Sequence, residues 1–392
     1  MTMKIAISLN SSWNIVNFRS NLIRSLINGG HEVIALSPRD ASTPRLKDLG
    51  CEFIQLPMDN GGLNPFKDLL LFLRYLNLLH KHRPQVYLGY TIKPNVYGSL
   101  AAKILKIPVI NNVSGLGTAF IKETWITKLV QVLYRTALSG SSCVFFQNPE
   151  DRDLFISRRL VRPSKTTCVQ TIQLLPGSGV DLTHFYPGAK SKLTHHELAA
   201  DLYEHDPMEK VRDLTFLFIG RVLRDKGVLE FVEAAKIVKS TRAKVRFCIL
   251  GFLDAKNTTA ISRADVDDWI DEDLIDYLGE VEDVRAAIAA SDCVVLPSYR
   301  EGTPRSLLEA AAMARPLIAT DVAGCRGVVE DEVNGYLCKP RDALDLANKM
   351  LKMINLEPIQ RKQMGINGRK KIEREFDEKI VISKYHEAIR LI

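Results

Sequence analysis

Four charged side chains stand out by type and spacing: Arg221, Lys226, Glu301 and Glu309. The first two lie in Phe218-Ile219-Gly220-Arg221-Val222-Leu223-Arg224-Asp225-Lys226-Gly227, where an apolar run ends in a basic turn. Two cations at the carboxyl end of a strand can neutralise a diphosphate, Arg with a bidentate fork and Lys as a point charge. The other two lie in Leu296-Pro297-Ser298-Tyr299-Arg300-Glu301-Gly302-Thr303-Pro304-Arg305-Ser306-Leu307-Leu308-Glu309-Ala310. There a β run, Cys293–Ser298, ends in a polar loop. Thr303 suits an N-cap and Pro304 the first position of a helix reaching Ala314. Such a helix start offers unpaired N–H groups to an anion. Glu309 falls about a turn and a half inside the helix, among Leu307, Leu308, Ala310, Ala311 and Ala312, which speaks against a solvated face. A buried carboxylate accepts two hydrogen bonds from vicinal hydroxyls such as those of a ribose. Glu301, in the loop, is placed to meet a second set of hydroxyls. Each residue alone also fits an ordinary surface charge; the weight lies in their combination.

The elements that must position these residues follow from hydrophobic patterning. In the first half, strands are expected at Lys4–Asn10, Glu32–Ser37, Glu52–Pro57, Gln85–Tyr90, Pro108–Val113 and Cys143–Asn148. Helices are expected between them at Phe18–Asn28, Pro65–Lys81, Pro94–Leu105 and Lys122–Leu138. The second half repeats the alternation. Its strands are expected at Thr215–Gly220, Val245–Gly251, Ile275–Glu280, Cys293–Ser298 and Leu317–Asp321, and its helices at Lys226–Ser240, Val284–Ala290, Pro304–Ala314 and Asp342–Ile354. Strands separated by helices of this length read as βαβ units with parallel sheets. The expected architecture is α/β, with two doubly wound Rossmann-like domains facing a central cleft. The first domain spans 1–176 and the second 177–376, with the join at the turn-rich Pro176-Gly177-Ser178-Gly179. A last helix, 377–392, is expected to pack back on the first domain. The polar stretch 188–213, with its His195-His196 pair, reads as a surface excursion.

Bulk properties agree. At 392 residues the chain exceeds one ordinary core. It is 46% hydrophobic and 25% charged, and no apolar run is long enough to span a bilayer. The N-terminus runs directly into a strand, unlike a signal peptide. Seven scattered cysteines, an odd count with no metal or redox spacing, suit a reducing cytosol. The net charge of +7 is uneven: residues 1–180 carry 21 Lys and Arg against 10 Asp and Glu. A basic first half suits an anionic partner such as a lipid surface or a lipid diphosphate.

The order Gly-Arg-(four residues)-Lys-Gly, then Glu-Gly-x-Pro-(four residues)-Glu, resembles the retaining GT-B glycosyltransferases of family four, over essentially the whole chain. The resemblance implies that Arg221 and Lys226 hold a donor diphosphate, that Glu301 contacts the donor sugar and that Glu309 binds ribose hydroxyls. It also implies that Gly302, Thr303 and Pro304 line the donor site. Tyr90-Thr91-Ile92-Lys93-Pro94-Asn95-Val96-Tyr97-Gly98 and Asn111-Asn112-Val113-Ser114-Gly115-Leu116-Gly117-Thr118 are similar to bacterial surface-polysaccharide transferases acting on lipid-linked acceptors. Both segments follow expected strands, which makes Lys93, Ser114 and Gly115, together with Asn10, the acceptor side. Many members of the family carry a His near positions 92–93; here Lys93 is the nearest substitute.

The expected activity is transfer of a hexose or N-acetylhexosamine from a nucleotide diphosphate sugar, with UDP favoured over GDP, to a lipid-linked glycan. Retention by front-face attack fits, with Arg221, Lys226 and Glu301 as catalytic residues. No cofactor is expected. No Asp-x-Asp stands where a strand would deliver a metal–diphosphate bridge, so metal independence is expected too; Asp265-x-Asp267 and Asp271-x-Asp273 lie in an acidic stretch. The location expected is cytoplasmic, with a peripheral hold on an anionic membrane through Phe120–Leu129, Lys103, Lys106, Arg135 and Arg158–Arg162. Trp13 is positioned either to stack on a sugar or to pack. The rivals are a nucleotide-sugar 2-epimerase, which needs His and carboxylate acid–base groups, and a non-catalytic nucleotide or glycan binder. Nucleic acid is not an expected partner, because the basic half shows no aromatic-rich binding module.

Overall fold

The structure is a computed structural model that describes residues 2–59, 64–115, 125–161, 171–188, 213–241, 244–253, 257 and 259–392. It divides into two compact units, Met1–Ser178 with Lys379–Ile392, and Gly179–Glu378.

The first unit is built on a seven-stranded sheet of order β3-β2-β1-β4-β5-β6-β7. Its strands are β1 (Lys4–Ser8), β2 (Glu32–Ser37), β3 (Glu52–Gln55), β4 (Val86–Tyr90), β5 (Val109–Val113), β6 (Cys143–Phe146) and β7 (Thr171–Leu174), all paired in parallel. The central strands β4, β5 and β6 are buried at every position, as strands covered on both faces must be. The first helix, Ser12–Asn28, starts earlier than the apolar pattern alone suggests, because the Ser11 hydroxyl caps it by accepting the Asn14 N–H at 3.0 Å. Helix Pro65–His82 is capped by the Asn64 side chain and has Pro at its start. The stretch read as one helix over 94–105 is a π-helical turn, Pro94–Gly98, that passes into the helix Ser99–Ile104.

The second unit carries a six-stranded sheet of order β10-β9-β8-β11-β12-β13. Its strands are β8 (Leu214–Ile219), β9 (Val245–Leu250), β10 (Asp276–Gly279), β11 (Cys293–Leu296), β12 (Leu317–Thr320) and β13 (Gly335–Cys338), again all parallel. Helices Val228–Ser240, Arg305–Ala312 and Ala343–Asn355 bury apolar faces in its core. Strands β7 and β13 are additional to those expected.

Both sheets reverse direction of growth at one place, between β1 and β4 in the first and between β8 and β11 in the second. Such a switch point leaves a crevice beyond the carboxyl ends of the two central strands, where ligands of open α/β sheets bind. The final helix, Glu378–Arg390, belongs to the first unit and buries Val381, Tyr385, Ala388 and Ile389 in its core.

Candidate active site

Arg221 follows β8 within two residues, and the loop bearing Glu301 follows β11, so both flank the switch point of the second unit. Arg221 is exposed, whereas Lys226 and Glu301 are largely shielded. Lys226 Nζ and Glu301 Oε1 form a close ion pair. The backbone between the two cations is a 3₁₀ turn, Arg224–Lys226, and the helix begins only at Val228, past Gly227. Lys226 therefore sits before the helix and does not open it. Gly227 takes φ +76°, and a Cβ there would stand 2.1 Å from the Pro297 carbonyl oxygen. Only glycine lets the Lys226 turn lie this close to the segment leaving β11.

The two loops are joined again through Tyr299. Its N–H donates to the Asp225 carbonyl at 3.0 Å, and its hydroxyl meets Glu230 Oε1 at 2.6 Å. The guanidinium of Arg341 lies over its ring at 4.5 Å. A third loop, after β12, is pressed in by Gly324, whose φ is +82° and whose added Cβ would come 2.2 Å from the Gly302 carbonyl oxygen. The neighbouring Cys325 thiol is pushed up by burial and feels the charges of both Glu301 and Lys226. Three strand-following loops therefore converge around one ion pair.

Helix Arg305–Ala312 has Pro304 as its N-cap, with no side-chain capping bond. This corrects the expectation that Thr303 caps and Pro304 opens the helix: Pro304 has extended φ and ψ, and the helix starts one residue later. Gly302 and Pro304 are buried and Thr303 is half-buried. Glu309, 9% exposed, receives an N–H bond from Arg305 Nε to Oε1 at 2.6 Å. Burial raises its carboxyl above the ordinary value, Arg305 pulls it back, and Asp283 adds to the rise. One oxygen is thus engaged, and a carboxylate retains further acceptor positions. Arg305 and Gly324 are not among the residues expected from the sequence. The i,i+4 spacing of Arg305 and Glu309 was the available signal for the first, and a glycine closely following a buried strand for the second.

In the first unit, Asn10 follows β1 and its Oδ1 accepts from Asn14 Nδ2 at 2.7 Å. Lys93, three residues beyond β4, forms a mostly buried ion pair with Asp68 Oδ1 at 2.7 Å. The Tyr97 hydroxyl meets the same carboxylate. Ser114 and Gly115 follow β5, half-buried, and Gly115 takes φ +136°. Beneath them Asn95 bonds Asn111 at 2.8 Å and the Asn112 carbonyl at 2.8 Å, a buried polar layer the sequence reading did not single out. Trp13 is 46% exposed and edge-on to Phe18. Asp265 closes a capping box with Ser262, and Asp267 pairs with Arg263. The expected membrane segment 120–129 lies partly outside the described residues, as do Leu116, Cys168, Arg162 and the His195-His196 stretch.

Strand order, switch points and convergent loops define a two-domain α/β protein of GT-B fold. Two family models match the chain: the glycosyl transferase 4-like domain over residues 15–170 and the glycosyl transferases group 1 over residues 213–355. An uncharacterized glycosyltransferase of Methanocaldococcus jannaschii is 30% identical, over 83% of this chain and 85% of its own length. The N,N'-diacetylbacillosaminyl-diphospho-undecaprenol alpha-1,3-N-acetylgalactosaminyltransferase of Campylobacter jejuni is 27% identical, over 98% of this chain and 97% of its own. Anabaena HepE in complex with UDP-glucose superposes with a TM-score of 0.75 at 16% identity, covering 100% of both chains. The chain belongs to the group 1 glycosyltransferases and is a glycosyltransferase.

Proposed function

We propose that the chain moves a hexose or N-acetylhexosamine, with retention, from a UDP-sugar to a lipid-diphosphate-linked glycan during assembly of a surface polysaccharide or related glycan. The observation that carries this reading is the placement of Arg221, Lys226 and Glu301 on loops that flank the switch point of the second unit, with Glu309 buried in the helix that follows the Glu301 loop. Arg221 and Lys226 take the donor diphosphate. Glu301 faces the sugar hydroxyls, Glu309 the ribose, and the backbone of Gly302, Thr303 and Pro304 lines the pocket between them. The close Lys226–Glu301 pair holds both groups in place before the donor arrives. The diphosphate then competes for the ammonium and leaves Glu301 for the sugar.

In the transfer step the acceptor hydroxyl oxygen bonds to the anomeric carbon on the face the diphosphate leaves. The C–O bond to the diphosphate breaks, the acceptor proton passes to a departing phosphate oxygen, and UDP is released. The charge that grows on the leaving group is stabilised by the two cations, so catalysis is electrostatic and positional. Because fixed cations occupy this role, activity is expected to persist in EDTA. The acceptor side is assigned to Asn10, Lys93, Ser114 and Gly115. The Campylobacter relative's name supports a lipid diphosphate acceptor and an N-acetylhexosamine, and the UDP-glucose complex of HepE supports the uracil nucleotide.

The test is a screen of UDP- and GDP-sugars against lipid-diphosphate-linked mono- and disaccharides, read by mass, with the product's anomeric configuration read by NMR. A mass gain of one hexose or N-acetylhexosamine in the donor's configuration is expected, with and without EDTA. Sugar products formed without acceptor would replace transfer by isomerisation, and an inverted anomer would remove the front-face step.

A further inference from the structure

Helix Pro65–His82 of the first unit has two apolar stripes. One, formed by Leu71, Tyr75 and Leu79, is buried against the sheet. The other is exposed: Phe66 is 85%, Leu69 57%, Leu70 48% and Leu73 48% accessible. Their spacing of i, i+3, i+4, i+7 makes one continuous ridge along the helix. A soluble surface tolerates single exposed leucines, but a ridge of four large apolar side chains marks a docking face.

We infer that this ridge seats the first unit on an anionic lipid surface. The inference rests on the reading of the acceptor as lipid-linked and names the surface that presents it. Charge favours lipid as the occupant. The helix carries Lys67, Arg74 and Lys81, with Arg83 at its end, and its one carboxylate, Asp68, is buried in the pair with Lys93. The helix Ser99–Ile104 packs beside it and exposes Ile104 with Lys103, and Lys106 follows. Two exposed acids close by, Asp59 and Glu52, are already opposed to Lys67 and His82. An apolar ridge bordered by basic residues is the pattern of a helix lying in the headgroup plane.

Position supports the same occupant. Asp68 meets Lys93, which follows β4, so the Phe66–Leu73 half of the helix lies at the carboxyl end of the sheet. That is the end to which Asn10, Lys93, Ser114 and Gly115 belong. A bilayer touching Phe66, Leu69, Leu70 and Leu73 would bring a membrane-anchored diphosphate beside them. Among the described residues no helix is long and apolar enough to cross a membrane; the contact inferred is with its surface.

The test uses the full chain and the variant Leu69→Gln/Leu70→Gln/Leu73→Gln, whose sites are exposed. Flotation is measured with vesicles of equal parts phosphatidylglycerol and phosphatidylcholine, and with phosphatidylcholine alone. The wild type is expected to float with the anionic vesicles, and the variant to partition on the order of a hundredfold more weakly. A single Phe66→Trp variant is expected to shift its emission to the blue with anionic vesicles. Transfer to a short-chain, water-soluble acceptor is expected to be unchanged in the triple variant. Undiminished flotation of that variant, or no flotation of the wild type, overturns the inference. So does a wild-type dimer that the triple substitution dissociates, which would give the ridge to a second copy of the chain. Flotation without transfer to any acceptor would instead overturn the proposed function and leave the lipid contact standing.

Discussion

Lys226 is the residue on which the proposed chemistry leans most. Its ammonium is paired with Glu301, on a turn that Gly227 lets lie against the Pro297 carbonyl. If it stabilises charge on the departing diphosphate, Lys226→Ala should lower kcat by on the order of a hundredfold or more, with a smaller change in the donor KM. Steady-state kinetics read the split; an unchanged kcat would remove Lys226 from the transition state. Glu309 offers a test through stability. Its folded carboxyl titrates above its ordinary value of 4.5 because it is buried. The folded state therefore binds a proton more tightly than the unfolded chain, and stability is lost as pH rises from the ordinary value through the raised one. Glu309→Gln removes this loss together with the Arg305 ion pair. The melting temperature of the variant relative to wild type should accordingly climb between about pH 4 and neutrality. A flat difference across that range would show that Arg305 compensates burial fully. The two carboxylates and two cations were legible in the sequence because their types and spacing are tied to polar chemistry. Arg305 was not, since a cation one helical turn from a carboxylate is also the commonest surface pair.

The loops owe their closeness to glycines and to Tyr299. Gly227→Ala would place a methyl 2.1 Å from the Pro297 oxygen and require a left-handed φ of a non-glycine residue. Backbone must move, so a loss of several kcal/mol and a raised nucleotide Kd are expected, read by thermal melting and by nucleotide titration calorimetry. Wild-type melting and affinity in this variant would mean that the two loops tolerate separation. Such contacts are invisible to periodicity. Every central strand is legible in the sequence, because continuous runs such as Val294-Val295-Leu296 and Val86-Tyr87-Leu88 signal burial on both faces. Strands β7 and β13, four residues each, are not, because Thr171, Gln173 and Gly335 dilute the signal. The apolar pattern of the first helix begins only at Phe18, since Ser12, Asn14 and Asn17 mask an amphipathic face whose start is set by the Ser11 cap. The helix expected over 226–240 is broken at Gly227 by the contact that brings two loops together, which no local propensity encodes.

At the scale of the whole molecule, the chain completes its first unit with its last helix. The segment leaves the second unit at Glu378 and inserts Tyr385 into the core formed around β4, β5 and β6. The Tyr385 ring lies 5.0 Å from Phe145 and 6.0 Å from Tyr90, and its hydroxyl accepts from Asn112 Nδ2 at 3.0 Å. Lys384 donates to the Leu174 carbonyl at 2.7 Å, fastening the helix to the end of β7. A buried aromatic removed from such a core costs about 3–5 kcal/mol, and the Asn112 donor is left unpaired besides. Tyr385→Ala should therefore loosen the first unit, although residue 385 follows the second in the chain. Amide exchange read by mass can separate the units, since protection is local. Peptides covering β4, β5 and β6 should exchange at least tenfold faster in the variant, a conservative reading of that cost. Those covering β8 and β11 should keep their protection, because their buried residues belong to a separate core cluster, that of the second unit. Equal losses in both sets would mean that the chain unfolds as one cooperative body, and that the last helix couples the units as well as completing the first.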